Sequence, residues 1–188
     1  YWDGLGSGMH LGKVLGEYEC GHRILAAFSA SGQPEDLAPT MVLRERSLLA
    51  NELAWFALHL GRLAEARAIR RIDDGWAKSL AEPKETSIRL QNSSVMAFSL
   101  GRLAEARALA AEALEQAEAA KDDGEKKKSL AYLANAAHAL GDIAAARAGF
   151  AAATKLEGEL LYSDRGAFHA RHHLDLGDLP AARALADH

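Results

Sequence analysis

The sequence is poor in cysteine: its 188 residues include only Cys20, so no disulfide can form within the chain. A lone thiol suits a reducing compartment, and we expect a cytoplasmic protein. The chain also lacks any apolar run near the roughly 20 residues that a membrane-spanning helix needs, and it shows no secretory signal. With 22 basic and 26 acidic residues, it lacks the basic excess that nucleic-acid binding requires. We therefore expect neither a membrane nor a nucleic-acid partner.

Residues that disrupt helices are also scarce. Only four prolines occur, and none of them interrupts a stretch with helical periodicity. Aromatic residues make up 6% of the chain, while alanine, which has the highest helix propensity, dominates the apolar set. The composition therefore predicts an all-α protein.

An eight-residue motif recurs along the chain. Leu60–Arg67 is repeated without change at Leu100–Arg107, 40 residues further on. Near copies follow at Leu140–Arg147 and Leu176–Arg183, and a degenerate copy precedes them at Leu15–His22. Repetition at a nearly constant spacing is typical of repeat proteins built from one stacked unit.

Each copy has the chemistry of a helix–turn–helix. The residues before the motif are apolar at helical spacing, and the glycine supplies the left-handed conformation that ends a helix. Asp142 and Asp178 stand where a carboxylate caps the next helix, and Pro180 suits a first helical turn. We place connectors between the pairs at 31–36, 81–84 and 121–125.

Small residues occupy fixed positions on both sides of the turn. They lie seven residues before the glycine and five after it, and they comprise Ala54, Ser94, Ala134, Ala170, Ala66, Ala106, Ala146 and Ala182. This pattern resembles the tetratricopeptide repeat (TPR) family, in which two small residues let paired helices approach closely. The period of 36 to 45 residues exceeds the roughly 34 of the standard repeat. The sequence is in this respect similar to kinesin-light-chain-like repeats and to bacterial signalling-ATPase sensor arrays.

The resemblance implies an all-α, right-handed superhelical solenoid of about five antiparallel helix pairs. We expect one repeat domain over residues 1–188, with repeats near 1–31, 40–80, 84–120, 125–158 and 160–188. The chain starts without Met and ends inside a predicted helix, so we expect it to be part of a larger protein.

A stacked array presents the first helix of each repeat along one concave surface, and this surface is the predicted binding site. A mixture of aromatic, amide and basic side chains there suits an extended peptide. The candidate partner-binding residues are Asn51, Trp55, His59, Gln91, Phe98, Asn135, His138 and Arg171. We expect a scaffold that binds a protein or peptide; the alternative is the ligand-sensing array of a larger signalling ATPase, kinase or transcription regulator.

The other groups of polar residues predict no catalytic or metal site. His169 and His173 share a helix face, as paired zinc-binding imidazoles do, but no glutamate follows His169 as a base. His22 lies two residues from Cys20 and therefore faces elsewhere on a helix. No phosphate loop or nucleophile motif is visible, so we expect no enzymatic activity, no metal and no cofactor. Recurring arginines form either a solvated ladder or a patch for an acidic partner: Arg67, Arg107, Arg147 and Arg183.

Overall fold

The computed structural model of the protein describes residues 15–157, 161 and 163–187. Within these residues it contains α-helices, one 3₁₀ helix at Pro34–Asp36 and no β-strand, which confirms the predicted all-α class. The helix predicted before Gly16 lies outside the described residues. The nine described helices are α1 Tyr18–Ala26, α2 Leu43–His59, α3 Leu63–Leu80, α4 Pro83–Ser99, α5 Leu103–Ala119, α6 Asp123–Ala139, α7 Ile143–Glu157, α8 Asp164–Asp175 and α9 Leu179–Ala186.

A left-handed glycine joins the two helices of each pair. The φ angles lie between 71° and 82° at Gly61, Gly101, Gly141 and Gly177. In each turn the amide after the glycine donates to the carbonyl five residues earlier, as Arg62 does to Ala57 at 2.9 Å. These bonds satisfy carbonyls that the helix end would otherwise leave unpaired. The predicted helix–turn–helix is confirmed at these four turns.

The paired helices run antiparallel and touch through small residues. The Ser94 hydroxyl donates to the Ala106 carbonyl, and the Ser87 hydroxyl donates to the Ala113 carbonyl, both at 2.8 Å. Each pair of residues is equally far from the turn, as an antiparallel arrangement requires. Ala106 is completely buried, which confirms its predicted position at the helix contact.

Carboxylates define where several helices begin. Asp142 and Asp178 accept hydrogen bonds from the amides of Ala145 and Ala181, both at 3.2 Å, and both predicted caps are confirmed. Asp122 caps α6 through the Glu125 amide at 3.0 Å. The connector predicted over 121–125 is therefore wrong in its length, because this cap starts the helix at Asp123.

The chain divides into two compact units, Tyr1–Glu82 and Pro83–His188, called here the N-terminal and C-terminal units. In the N-terminal unit α1 packs on α2, and α2 packs on α3. Phe56 is fully buried beneath α1. A Cβ atom on Gly21 would lie 2.4 Å from the Phe56 ring, so only glycine permits this approach.

In the C-terminal unit the first helices of successive pairs pack side by side, α4 on α6 and α6 on α8. Between α6 and α7 the approach is close, since a Cβ atom on Gly149 would lie 2.8 Å from that of Ala134. A core of Phe150, Leu161 and three alanines fills the space beneath α6 and α8: Ala131, Ala134 and Ala153. This arrangement places the outward side of α4, α6 and α8 on one face, where the candidate site lies.

Candidate functional site

A cleft of about 390 Å³ lies on the face formed by α4, α6 and α8 in the C-terminal unit. Each of the three helices contributes a side chain to its wall, because each is the first helix of its pair and packs beside the next. We call this the α4–α6–α8 cleft. Its principal lining residues are Val95, Phe98, Ser99, Tyr132, Asn135 and Phe168.

Three aromatic rings form the apolar part of the cleft. The ring centroid of Phe168 lies 6.4 Å from that of Phe98 and 6.3 Å from that of Tyr132. The Tyr132 hydroxyl donates to Asp164 at 3.1 Å. Burial, followed by the Asp164 charge, raises the pKa of Tyr132 to about 12. The phenol therefore stays neutral at physiological pH, and the wall carries no charge there.

Asn135 is the polar residue at the bottom of this apolar wall. Its side chain is 6% exposed and lines the cleft. Its amide forms no hydrogen bond with any residue that the structure describes. The amide atoms are not among the buried side-chain atoms that lack a partner, so they face the cleft and can bind water or an incoming group. The Asn135 amide therefore offers an incoming group a hydrogen-bond donor, its NH₂ group, and an acceptor, its carbonyl oxygen.

Gln91, predicted to bind a partner, lies inside the protein. It is 4% exposed, and its amide nitrogen donates to Glu125 Oε2 at 3.1 Å and to the Ser129 hydroxyl at 3.0 Å. These contacts join α4 to α6. The structure therefore gives Gln91 a packing role beneath the face rather than a place in the cleft.

His138 and Arg171 lie further along the same face and share one carboxylate. His138 Nε2 lies 2.9 Å from Asp175 Oδ2, and Arg171 Nε lies 3.5 Å from the same oxygen. The hydrogen bond to His138, with the Arg171 charge adding to it, holds the pKa of Asp175 below its usual range. Both predicted binding residues, His138 and Arg171, therefore contact Asp175 within the protein.

Asn51, Trp55 and His59 belong to the N-terminal unit, all on α2. Asn51 is buried, and its side-chain oxygen accepts from Arg70 at 2.8 Å. Trp55 is partly exposed and meets His59 edge to face, with ring centroids 4.9 Å apart. Tyr18 stacks on His59 at 4.8 Å. The predicted Trp55 and His59 therefore form an aromatic cluster together with Tyr18.

Sequence reasoning missed Tyr132 and Phe168. Each lies three residues before a predicted face residue, Asn135 and Arg171. Residues three apart share a helix face just as residues four apart do. Extending the predicted stripe three residues toward the start of each helix would have found both aromatic side chains.

The remaining sequence candidates show no catalytic arrangement. Cys20 is exposed, whereas His22 is buried and contacts Glu65 at 2.8 Å, so the two side chains point apart as predicted. Among the described residues, no three His, Cys, Asp or Glu side chains are grouped so as to hold a metal ion. Arg107 of the arginine series pairs with Asp142 at 3.0 Å in a partly exposed contact.

No protein-family model matches the sequence, and no curated protein resembles it significantly. The resemblance to TPR repeats therefore rests on the motif and stays a prediction. None of the helices in the described ranges combines the length and the apolar character that a bilayer-spanning segment needs.

Proposed function

We propose that the chain is a protein-interaction module that binds an extended peptide segment in the α4–α6–α8 cleft. The observation that carries this proposal is the amide of Asn135, which lines the cleft beside an aromatic wall and has no hydrogen-bond partner among the described residues. An extended peptide presents backbone donors and acceptors together with projecting side chains. The Asn135 amide can form hydrogen bonds with the peptide backbone, and the space between Phe98 and Phe168 suits an apolar side chain.

We also propose that the helix pairs belong to a TPR-like solenoid. Support comes from the repeated left-handed turns and from the buried small residues at the paired-helix contacts. The side-by-side packing of α4, α6 and α8 is the local arrangement that such a solenoid repeats. Specificity would then reside in the surface residues of the first helices.

A small apolar effector is the second candidate ligand. The cleft volume of about 390 Å³ lies within the range of roughly 300–1,000 Å³ that is typical of small-molecule sites. This volume favours the alternative of a sensor array in a larger signalling protein. A binding experiment that offers peptides and small molecules separately distinguishes the two.

The variant Asn135→Leu tests the proposal sharply. Leucine has the same number and branching of side-chain heavy atoms as asparagine but cannot form hydrogen bonds, so it removes the amide without opening a cavity. A peptide selected from a displayed random library against the unaltered protein serves as the probe. We expect Asn135→Leu to bind it about tenfold or more weakly, while the urea-unfolding midpoint stays unchanged or rises.

Arg107→Ala is the matched control, since Arg107 lies on α5 and pairs with Asp142 outside the cleft. Its affinity for the probe should equal that of the unaltered protein. If Asn135→Leu binds the probe normally and Arg107→Ala does not, the cleft is not the binding site and the arginine series is.

A further inference from the structure

Two hydrogen-bonded histidine chains lie around α8, and the proposed binding function uses neither. In the first, Asp175 Oδ2 contacts His138 Nε2 at 2.9 Å, and His138 Nδ1 contacts His172 Nδ1 at 3.1 Å. In the second, Asp178 Oδ2 contacts His173 Nδ1 at 3.2 Å, and His173 Nε2 contacts His169 Nε2 at 3.2 Å.

The carboxylates dictate where the protons lie in both chains. An ionised carboxylate only accepts, so the nitrogen facing it carries the hydrogen, and when that ring is neutral its other nitrogen is an acceptor. The next histidine must then donate to it: His172 through Nδ1 and His169 through Nε2. The last nitrogen of each chain is left without a proton.

Those last nitrogens, His172 Nε2 and His169 Nδ1, are buried and have no hydrogen-bond partner in the described part of the chain. Both rings lie against Phe150 of α7, with centroids 5.3 Å and 4.8 Å from it. A proton arriving at either nitrogen would create a buried cation facing an aromatic core, with no acceptor for its hydrogen. Such a charge is strongly unfavourable.

The surrounding charges add to this cost. The groups that act on the two rings are His138 from α6, Arg147 from α7, and His173 and Asp175 from α8. Arg171 of α8 pairs with Asp175, and Asp178 before α9 pairs with His173. Arg147 and the neighbouring imidazoles oppose a further positive charge, whereas Asp175 favours it. Burial is the largest influence, and it opposes protonation of both rings.

We propose that the two Asp–His–His chains form an acid-sensitive latch that holds α8 on α6, α7 and α9 at neutral pH and releases it on mild acidification. The latch is closed when His169 and His172 are neutral and opens when they are protonated. Because α8 carries Phe168, release of α8 removes one wall of the α4–α6–α8 cleft. Acid would thereby control access to this face.

The direction of the effect follows from linkage. Burial, followed by the neighbouring imidazoles, lowers the pKa of His169 to about 4, and burial likewise lowers the pKa of His172. A base whose pKa is lower folded than unfolded stabilises the fold only while it is neutral. That stability is complete above about pH 6.5, the ordinary value for histidine, and is lost as the pH falls toward the folded value.

The test compares the whole chain with the double variant His169→Phe/His172→Phe, in which apolar rings retain the stacking on Phe150. We expect the equilibrium constant for the opening of α8 to rise about tenfold from pH 7 to pH 5 in the unaltered protein. Hydrogen exchange of the α8 amides, corrected for the intrinsic exchange rate at each pH, measures this constant. This rise is smaller than the full lowering of the His169 pKa would imply, because His169 is only partly buried and solvent screens its charge. In the double variant the rise should be less than about threefold.

His59→Gln is the matched control, because His59 is an exposed histidine of the N-terminal unit and should leave the acid response of α8 unchanged. Proton NMR of the unaltered protein supplies a measurement that needs no variant: the His169 imidazole should remain neutral well below pH 6, and the His172 imidazole should titrate below the ordinary histidine value.

Three results would overturn the latch. The first is titration of His169 and His172 near the ordinary histidine value. The second is an undiminished acid response in a folded double variant. The third is a rise in the unfolding midpoint of the unaltered protein with added Zn²⁺ at pH 7 that the double variant lacks, which would make the imidazoles a metal site instead.

Discussion

At the residue scale, small side chains set the distance between paired helices. Ala106 is fully buried against α4, where its carbonyl accepts from Ser94 at 2.8 Å. A methyl group fills this contact, and a larger side chain has no free space to occupy. The same position holds Ala66 and Ala146 in the other long pairs, and both are also fully buried.

Ala106→Phe should therefore lower the free energy of unfolding by about 1–3 kcal/mol or more through overpacking. Ala108→Phe, on the exposed side of the same helix, should change it by less than about 0.5 kcal/mol. Urea unfolding followed by circular dichroism measures both. Equal midpoints for the two variants would mean that the α4–α5 pairing is wrong.

At the scale of the element, the turn glycines have a conformational role that other glycines lack. Gly61 has a φ of 71° in the α2–α3 turn, while Gly75 lies within α3, and a Cβ atom would meet no neighbour at either place. Space is therefore not the difference between the two sites. The difference is the left-handed backbone, which costs a side-chain-bearing residue about 1–2 kcal/mol.

The substitutions Gly61→Ala and Gly75→Ala should have opposite effects. Gly61→Ala should destabilise the N-terminal unit by about 1 kcal/mol, and Gly75→Ala should stabilise it by roughly 0.5–1 kcal/mol because alanine favours the helix interior. Tryptophan fluorescence is a suitable probe, because Trp55 and Trp76 lie in this unit and residues 83–188 contain no tryptophan. Stabilisation by both changes would contradict the assigned turn.

At the scale of the whole molecule, each unit has its own aromatic group that includes side chains of a first helix. The C-terminal unit has the cleft with Phe98 and Phe168, and the N-terminal unit has Trp55 with His59 and Tyr18. The sequence hypothesis makes Trp55 an anchor for the same partner. That hypothesis stays a prediction, and it is open to a direct comparison of two tryptophans.

Trp55→Ala should weaken binding of the selected peptide by about tenfold or more if Trp55 is an anchor, since large rigid rings dominate binding hot spots. Trp76→Ala is the matched control, because Trp76 lies on the second helix α3 beneath the Arg46 guanidinium, 4.4 Å from its ring. Thermal unfolding must show that both variants are folded. Equal affinities for the two variants would remove Trp55 from the binding surface.

The sequence by itself determined the helix pairs, their turns and the small residues at their contacts. These features depend on residues close together in the chain: a glycine ends one helix, an aspartate starts the next, and fixed distances from the turn bring Ser94 to Ala106. Local backbone chemistry is sufficient for them. The predicted connector over 121–125 places the start of α6 too far along the chain, because the Asp122 cap decides where that helix begins.

Only the tertiary structure decided which polar residues of the first helices remain available. Asn51 and Gln91 hold the same position in the repeat, ten residues before the turn glycine, and Asn135 lies one helical turn nearer its glycine. Arg70 donates to Asn51, and Gln91 donates to Glu125 and Ser129, whereas Asn135 lines the cleft. The partners lie 19 to 38 residues away along the chain. Their meeting depends on how neighbouring helices pack, and so does the meeting of His138 with His172. A repeat motif fixes the spacing of such side chains but leaves their partners to the packed neighbours.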